Sequence, residues 1–401
     1  MSEQTFGYIV IGGGLAGGNA VKGIRERDQH GSVLLIGSER HMPYDRPPLT
    51  KQLWFGKKTI EQIVALDREY CDQNGVQVEL GQDVTAIDPG RKTITLASGR
   101  SYRYGKLLLA TGGAPRELTI PGGRLDGVYY YRYLDDYLRM REQASEGKSA
   151  VVIGGGFIGS EIAAALAVNK LDVTMVFPSP YLVSRVFLDY LGKAIQQRYV
   201  EKGVKMLTGD GPKSISKSGS RFVTETKNGQ RLQSDIVIVG VGIAPNVTLA
   251  QQAGLDVSDG IVVNEFLQTS NPDIYAAGDN ACFHSYALDQ QTRIEHWDNA
   301  VIQGAWAGRN MAGAHEPFTY MPYFYSDLFE FGYEAVGEVS SSLRTVTDWQ
   351  KENDTGVVYY LKEGKIRGAM MCNVWGKVDA ARELIWKAEW ADAQSVEALI
   401  R

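Results

Sequence analysis

A chain of 401 residues is too long for one ordinary hydrophobic core, so two or three domains are expected. A formal net charge of -5 with no basic block excludes a dedicated nucleic-acid or anionic-membrane surface, and no apolar run reaches membrane-spanning length. Cys71, Cys282 and Cys372 lie far apart with no C-x-x-C spacing, which argues against a disulfide framework or a cysteine metal site and fits a reducing compartment.

The N-terminal residues lack a basic segment before an apolar one, so a cytoplasmic location is expected, and the cysteine spacing leaves no metal expected. From Tyr8 a short apolar run meets a glycine turn with Gly12, Gly14 and Gly17, then an alanine-containing helix, then the apolar run Val33 to Ile36 closing on Glu39. This is the spacing of a dinucleotide-binding strand-turn-helix unit. The first glycine permits the tight turn, the second lets backbone approach a pyrophosphate, and the third lets helix and strand pack closely. Glu39 stands where a carboxylate accepts from a ribose hydroxyl. Prolines 43, 47 and 48 then forbid a regular strand and leave Arg46 and Lys51 on an irregular segment, which reads either as a loop carrying chemistry or as a solvated basic loop.

Short strands are expected at Val76 to Leu80 and Thr93 to Leu96, and a buried strand from Lys106 ends in the small residues Ala110, Thr111, Gly112 and Gly113. At Ala150 the opening pattern returns, with Gly154, Gly156 and Gly159 at the same spacing, a helix from Ile162 to Val168 and a strand from Val173 to Phe177. Two such units imply two dinucleotides. The second departs at one place, because its strand ends Phe177, Pro178, Ser179 where the first has Glu39, leaving NADH versus NADPH open with a lean to NADH. Asp279 ends a further short strand from Asn271, either as an acceptor for a flavin ribityl chain or as a plain turn aspartate. A helix follows from Ile294. Beyond Phe318 come aromatic-rich strands and an amphipathic helix from Val378 to Trp390.

In this order the two glycine units, Arg46 to Lys51, Ala110 to Gly112, Gly278-Asp279 and Glu295-His296-Trp297 resemble the FAD-dependent pyridine-nucleotide reductases, on the branch of oxygenase-coupled ferredoxin reductases and apoptosis-inducing factor. The resemblance spans nearly the whole chain. Its C-terminal part, Tyr325 to Leu328 with Gly332 to Gly337, looks closest to apoptosis-inducing factor. It implies an α/β fold with two Rossmann-like domains of the glutathione-reductase type and a C-terminal α+β interface domain. The FAD domain would comprise residues 1–118 and 244–317, the NAD(P)H domain 119–243 and the C-terminal domain 318–401. It further implies that Gly12, Gly14, Leu15, Ala16, Gly17, Glu39, Arg40, Arg46, Val84, Ala110, Thr111, Gly112, Arg116 and Asp279 contact FAD, with His296 and Trp297 beside its ring. Lys51 would sit by flavin N5, paired with Glu161. Gly154, Gly156, Phe157, Ile158, Gly159, Ser179, Arg185, Gly242, Tyr325 and Glu334 would hold the nicotinamide nucleotide.

The resemblance implies hydride transfer from nicotinamide to flavin, with Lys51 stabilising the negative charge of the reduced ring. Electrons would leave singly for a small iron-sulfur protein, ferredoxin or rubredoxin, and Arg40, Arg46, Lys57 and Lys58 would suit an acidic partner. Quinone or monodehydroascorbate reduction is the family's other outlet. The loop Tyr44 to Thr50 has no cysteine, which argues against a thiol relay. The contrasting reading is a slow redox sensor like apoptosis-inducing factor, in which a lasting charge-transfer complex of reduced flavin and oxidised nicotinamide changes the oligomeric state, a homodimer included.

Overall fold

Val33–Gly37 buries all five of its residues, as a strand covered on both faces must, and it lies parallel to Gln4–Ile11 with Tyr8 opposite Val33. These two strands begin the first of two compact units in the computed structural model, which describes residues 4–392, 396–397 and 399–400. That unit is gathered from Met1–Asp45, Ile60–Ala114 and Ala244–Pro322. Its sheet runs Val76–Leu80, Val33–Gly37, Gln4–Ile11 and Ser101–Leu109, all parallel, with Ile274–Ala276 pairing the end of the last and Thr93–Leu96 and Val84–Asp88 added antiparallel. The glycine turn therefore opens at the carboxyl ends of the parallel strands, where open α/β sheets hold ligands.

The helix Leu15–Arg27 packs on the helix Trp297–Met311, and glycine decides how closely. A Cβ on Gly23 would collide with the carbonyl of Ala305, one on Gly304 with that of Ala16, and one on Gly308 with that of Ala20. The two backbones touch with no side chain between them. The second helix begins at Trp297, three residues later than its sequence suggests, with His296 in extended conformation as its N-cap.

The second unit comprises Arg46–Thr59, Pro115–Ile243 and Tyr323–Arg401. Its parallel sheet runs Lys205–Thr208, Asp172–Phe177, Ser149–Ile153, Ile236–Val239 and Val128–Tyr130, repeating the strand-turn-helix order of the first. The helix after the second glycine turn starts at Phe157 rather than Ile162, since nothing breaks it once Gly156 has capped it. A three-stranded antiparallel sheet follows, Pro212–Ser218, Arg221–Thr226 and Arg231–Ser234. The C-terminal part is a five-stranded antiparallel sheet in the order Tyr323–Leu328, Phe331–Gly337, Lys365–Cys372, Thr355–Lys362, Arg344–Lys351. Its helix, Val378–Trp386, stops short of Trp390 because Ala388 turns left-handed (φ 47°), and Trp390 instead bridges to Lys365.

Candidate functional site

The two glycine turns have the same steric logic. Gly12 (φ 129°) and Gly154 (φ 122°) adopt a backbone that favours glycine, and a Cβ there would strike the carbonyls of Ala110 and Gly240 respectively. Gly17 and Gly159 would strike the carbonyls of Gly12 and Gly154. The chain's own packing thus accounts for the outer glycines. It does not account for the middle ones, because a Cβ on Gly14 or Gly156 would meet no atom within 4 Å. Each is the N-cap of its helix in ordinary extended conformation, with no side-chain cap, so the first-turn N–H groups, which have no partner within the helix, and the positive dipole end lie beside the space that the missing side chain leaves clear. A diphosphate fits that cradle chemically.

The residues that the sequence singled out for the first unit are placed as follows. Glu39 accepts from the Tyr44 hydroxyl at 2.6 Å. Ala110 is buried against Gly12, and Thr111 donates to the carbonyl of Asn246 at 2.9 Å. Gly112 is left-handed (φ 61°), and Val84 begins its strand half-buried. Gly278 (φ 87°) donates its N–H to the buried Gln303 at 2.7 Å, which fixes the turn carrying Asp279. Burial pushes His296 down to about 4 despite the opposing charge of Asp279, so its imidazole is neutral at pH 7. The indole of Trp297 donates to Asp45 at 2.7 Å. Leu15 and Ala16 are buried at the helix start, and Arg40 is exposed against Gly81. Sequence reasoning missed Asn280, which is wholly buried and donates to the Leu109 carbonyl and the Thr111 hydroxyl, tying two strand ends together.

The second unit holds a buried charge cluster. Lys51 is 4% exposed and sits 3.2 Å from Glu161, itself 7% exposed, and 3.6 Å from Asp327. Its ammonium lies 4.4 Å from the centre of the Tyr325 ring. Glu161 is held at both oxygens, one accepting from Ser326 at 2.5 Å and the other from Thr50 at 2.6 Å. Thr50, Ser326 and Asp327 were not singled out from sequence, although Thr50 adjoins Lys51 and Ser326 adjoins Tyr325. Burial, with the charge of Glu161 adding to it, drives the Tyr199 and Tyr333 hydroxyls well above their ordinary range, which keeps them neutral.

The remaining candidates of this unit are more dispersed. Phe157 packs edge-on against Phe324 with ring centres 5.6 Å apart, and Ile158 is 42% exposed. Ser179 donates to the carbonyl of Tyr181, and Arg185 is exposed. Gly242 is left-handed (φ 98°), its carbonyl accepting from the N–H of Arg116, whose guanidinium donates to Ile243. Glu334 accepts from the N–H of Gly376. Arg46 donates to the carbonyl of Arg132 at 3.0 Å and lies over the Tyr133 ring.

Cys71, Cys282 and Cys372 are all free and buried, and burial pushes the thiols of Cys71 and Cys372 up, away from reactive thiolate. Among the described residues no acid, histidine and cysteine cluster could hold a metal, and no helix is long and apolar enough to cross a membrane.

Residues 6–304 match the family model described as pyridine nucleotide-disulphide oxidoreductase, and residues 307–355 that of apoptosis-inducing factor, mitochondrion-associated, C-term. The chain is 33% identical over 423 residues to "Apoptosis-inducing factor 1, mitochondrial" of Dictyostelium discoideum, covering 96% of this chain and 79% of the relative. It is 32% identical over 394 residues to the "Anthranilate 1,2-dioxygenase system ferredoxin--NAD(+) reductase component" of Burkholderia cepacia, covering 97% and 96%. Among solved structures, the reductase chain of a covalent putidaredoxin reductase-putidaredoxin complex superimposes with a TM-score of 0.90 at 31% identity, over 98% of this chain and 96% of that one.

Proposed function

We propose, for a chain that belongs to the pyridine nucleotide-disulphide oxidoreductase family, an FAD-dependent reductase that takes a hydride from NADH and passes electrons one at a time to a ferredoxin or rubredoxin. The observation that carries this reading is the pair of turns whose middle glycines the chain's own packing leaves unexplained. The first turn, with Glu39, Ala110, Thr111 and Asp279, takes FAD. The second, with Phe157, Ile158 and Ser179, takes the nicotinamide nucleotide. FAD, when bound, accepts two electrons as hydride and can return them singly. The protein contributes the charge of Lys51, oriented by Glu161, to stabilise the reduced flavin, and His296 and Trp297 to border its ring. The three domains are 1–118 with 244–317, 119–243 and 318–401, and the protein works in the cytoplasm. Relatives named as ferredoxin, rubredoxin and putidaredoxin reductases support the choice of acceptor.

The test is steady-state NADH oxidation by the FAD-loaded protein against ferredoxin, rubredoxin, quinone, monodehydroascorbate and dioxygen. Electron transfer to cytochrome c that depends on added ferredoxin or rubredoxin is expected. Turnover indifferent to either protein would reject the acceptor assignment, and a preparation that takes up no FAD would reject the reading altogether. A second reading, a slow redox sensor with a lasting charge-transfer complex, draws on the match of residues 307–355 to the apoptosis-inducing factor model. Long-wavelength absorbance that outlives NADH addition, with a shift to a homodimer on gel filtration, would favour it.

A further inference from the structure

The two glycine units correspond bond by bond, and the correspondence isolates one residue. In the first, Gly12 N–H donates to Ile36 O at 2.8 Å, Gly81 N–H to Glu39 O at 2.9 Å, and Gln82 N–H to Gly37 O at 3.0 Å. In the second, Gly154 N–H donates to Val176 O at 2.9 Å, Gly209 N–H to Ser179 O at 3.2 Å, and Asp210 N–H to Phe177 O at 3.3 Å. Gly81 and Gly209 even share the same left-handed φ of 66°, each one residue past the neighbouring parallel strand. Glu39 and Ser179 therefore hold the same place in two copies of one device.

A carboxylate at that place accepts from a ribose 2′-hydroxyl and repels a 2′-phosphate. The second unit has none there. The Ser179 hydroxyl donates back to the carbonyl of Tyr181 at 3.1 Å. Asp210, the acid joined to this strand end, is buried, with its carboxylate accepting from the N–H groups of Gly211 at 2.7 Å and Asn228 at 3.2 Å. From Pro178 to Leu188 the sequence carries one charge only, Arg185. Its side chain is exposed, and its backbone is fastened by Ser341, whose N–H donates to the Arg185 carbonyl at 2.9 Å and whose hydroxyl donates to that of Ser184 at 2.7 Å.

We propose that the second cradle does not select against an adenosine 2′-phosphate, so that the protein takes NADPH as well as NADH, with Ser179 the specificity-determining position and Arg185 the cation that meets the phosphate. The inference rests on that turn being the nicotinamide-nucleotide site.

Titration calorimetry of the FAD-loaded full chain with NAD+ and NADP+ tests it. The wild type is expected to bind the two within about tenfold of each other, since a guanidinium facing phosphate offsets the missing ribose acceptor. Ser179→Glu is expected to lower NADP+ affinity relative to NAD+ by about tenfold or more, because it restores the repelling carboxylate. NAD+ binding by the variant is the internal check that it is folded. Arg185→Ala is expected to weaken NADP+ more than NAD+, lowering the ratio of the two affinities by about tenfold. A wild type that binds NAD+ but takes NADP+ more than about a hundredfold more weakly, or a Ser179→Glu variant whose ratio does not move, overturns the inference. Failure of both nucleotides to bind overturns instead the assignment of the site.

Discussion

Lys51 shows what a single residue in this protein has to satisfy. A lysine at 4% exposure survives only with its charge compensated, and here two carboxylates and a tyrosine ring do so. Lys51→Ala would leave Glu161 buried without its counter-charge, which costs about 3–5 kcal/mol of stability. It is expected also to slow flavin reduction while FAD stays bound, and stopped-flow reduction at the wild-type rate would reject that role. Ser326→Ala and Thr50→Ala each remove one hydroxyl from the Glu161 carboxylate and should cost about 1.5–3 kcal/mol in chemical denaturation. His296 gives a prediction in pH. Its folded pKa is depressed from 6.5 to about 4, so its contribution to stability is full above 6.5 and is lost as pH falls from there through about 4. Replacing it with Gln should flatten the stability profile across that window, and an imidazole NMR resonance that titrates near 6.5 in the apo protein would contradict the shift. Lys51 and Glu161 were legible in the sequence because they stand in recognisable motifs. Ser326 and Thr50 were not, because they meet Glu161 across separations of 165 and 111 residues that no local pattern encodes.

At the scale of elements, glycine does two different jobs that substitution separates. Gly17→Val drives a side chain into the Gly12 carbonyl and should prevent the first unit from folding. A Cβ at Gly14 meets nothing in the chain, so Gly14→Ala should change stability by about 1 kcal/mol or less while FAD affinity falls sharply. Equal losses of stability in the two variants would remove the steric argument for the cradle. Gly304→Val and Gly308→Val, on the helix that touches Leu15–Arg27, should each cost about 3 kcal/mol or more because the helices cannot separate without opening the core beneath them. The glycine turns announced themselves by spacing. The helix contact did not, since its two partners lie at opposite ends of the first unit's chain order and small residues at such intervals say nothing of what they face.

Over the whole molecule, the opening strands of both parallel sheets were legible because continuous apolar runs bounded by glycine leave little choice, whereas the edge strands Lys205–Thr208 and Val128–Tyr130 of the second sheet were not, nor was the end of the last helix, whose stop is set by the backbone of Ala388. Buried thiols held away from thiolate are poorly suited to relay electrons. Replacing Cys71, Cys282 and Cys372 one at a time with alanine should leave NADH oxidation within about twofold of wild type, and a loss of more than about tenfold at any of them would restore a thiol relay.

The first unit's division into three segments also bears on how the protein is made. The strand Ser101–Leu109 receives Ile274–Ala276 along its last three residues, and that partner is encoded beyond the entire second parallel sheet. At about 5–20 residues per second, a ribosome delivers it roughly ten seconds or longer after the strand it completes. Through that interval the nascent chain carries an open, apolar sheet edge, so its synthesis should be sensitive to chaperone supply, and transcripts cut short before residue 274 should yield insoluble product rather than a smaller folded domain.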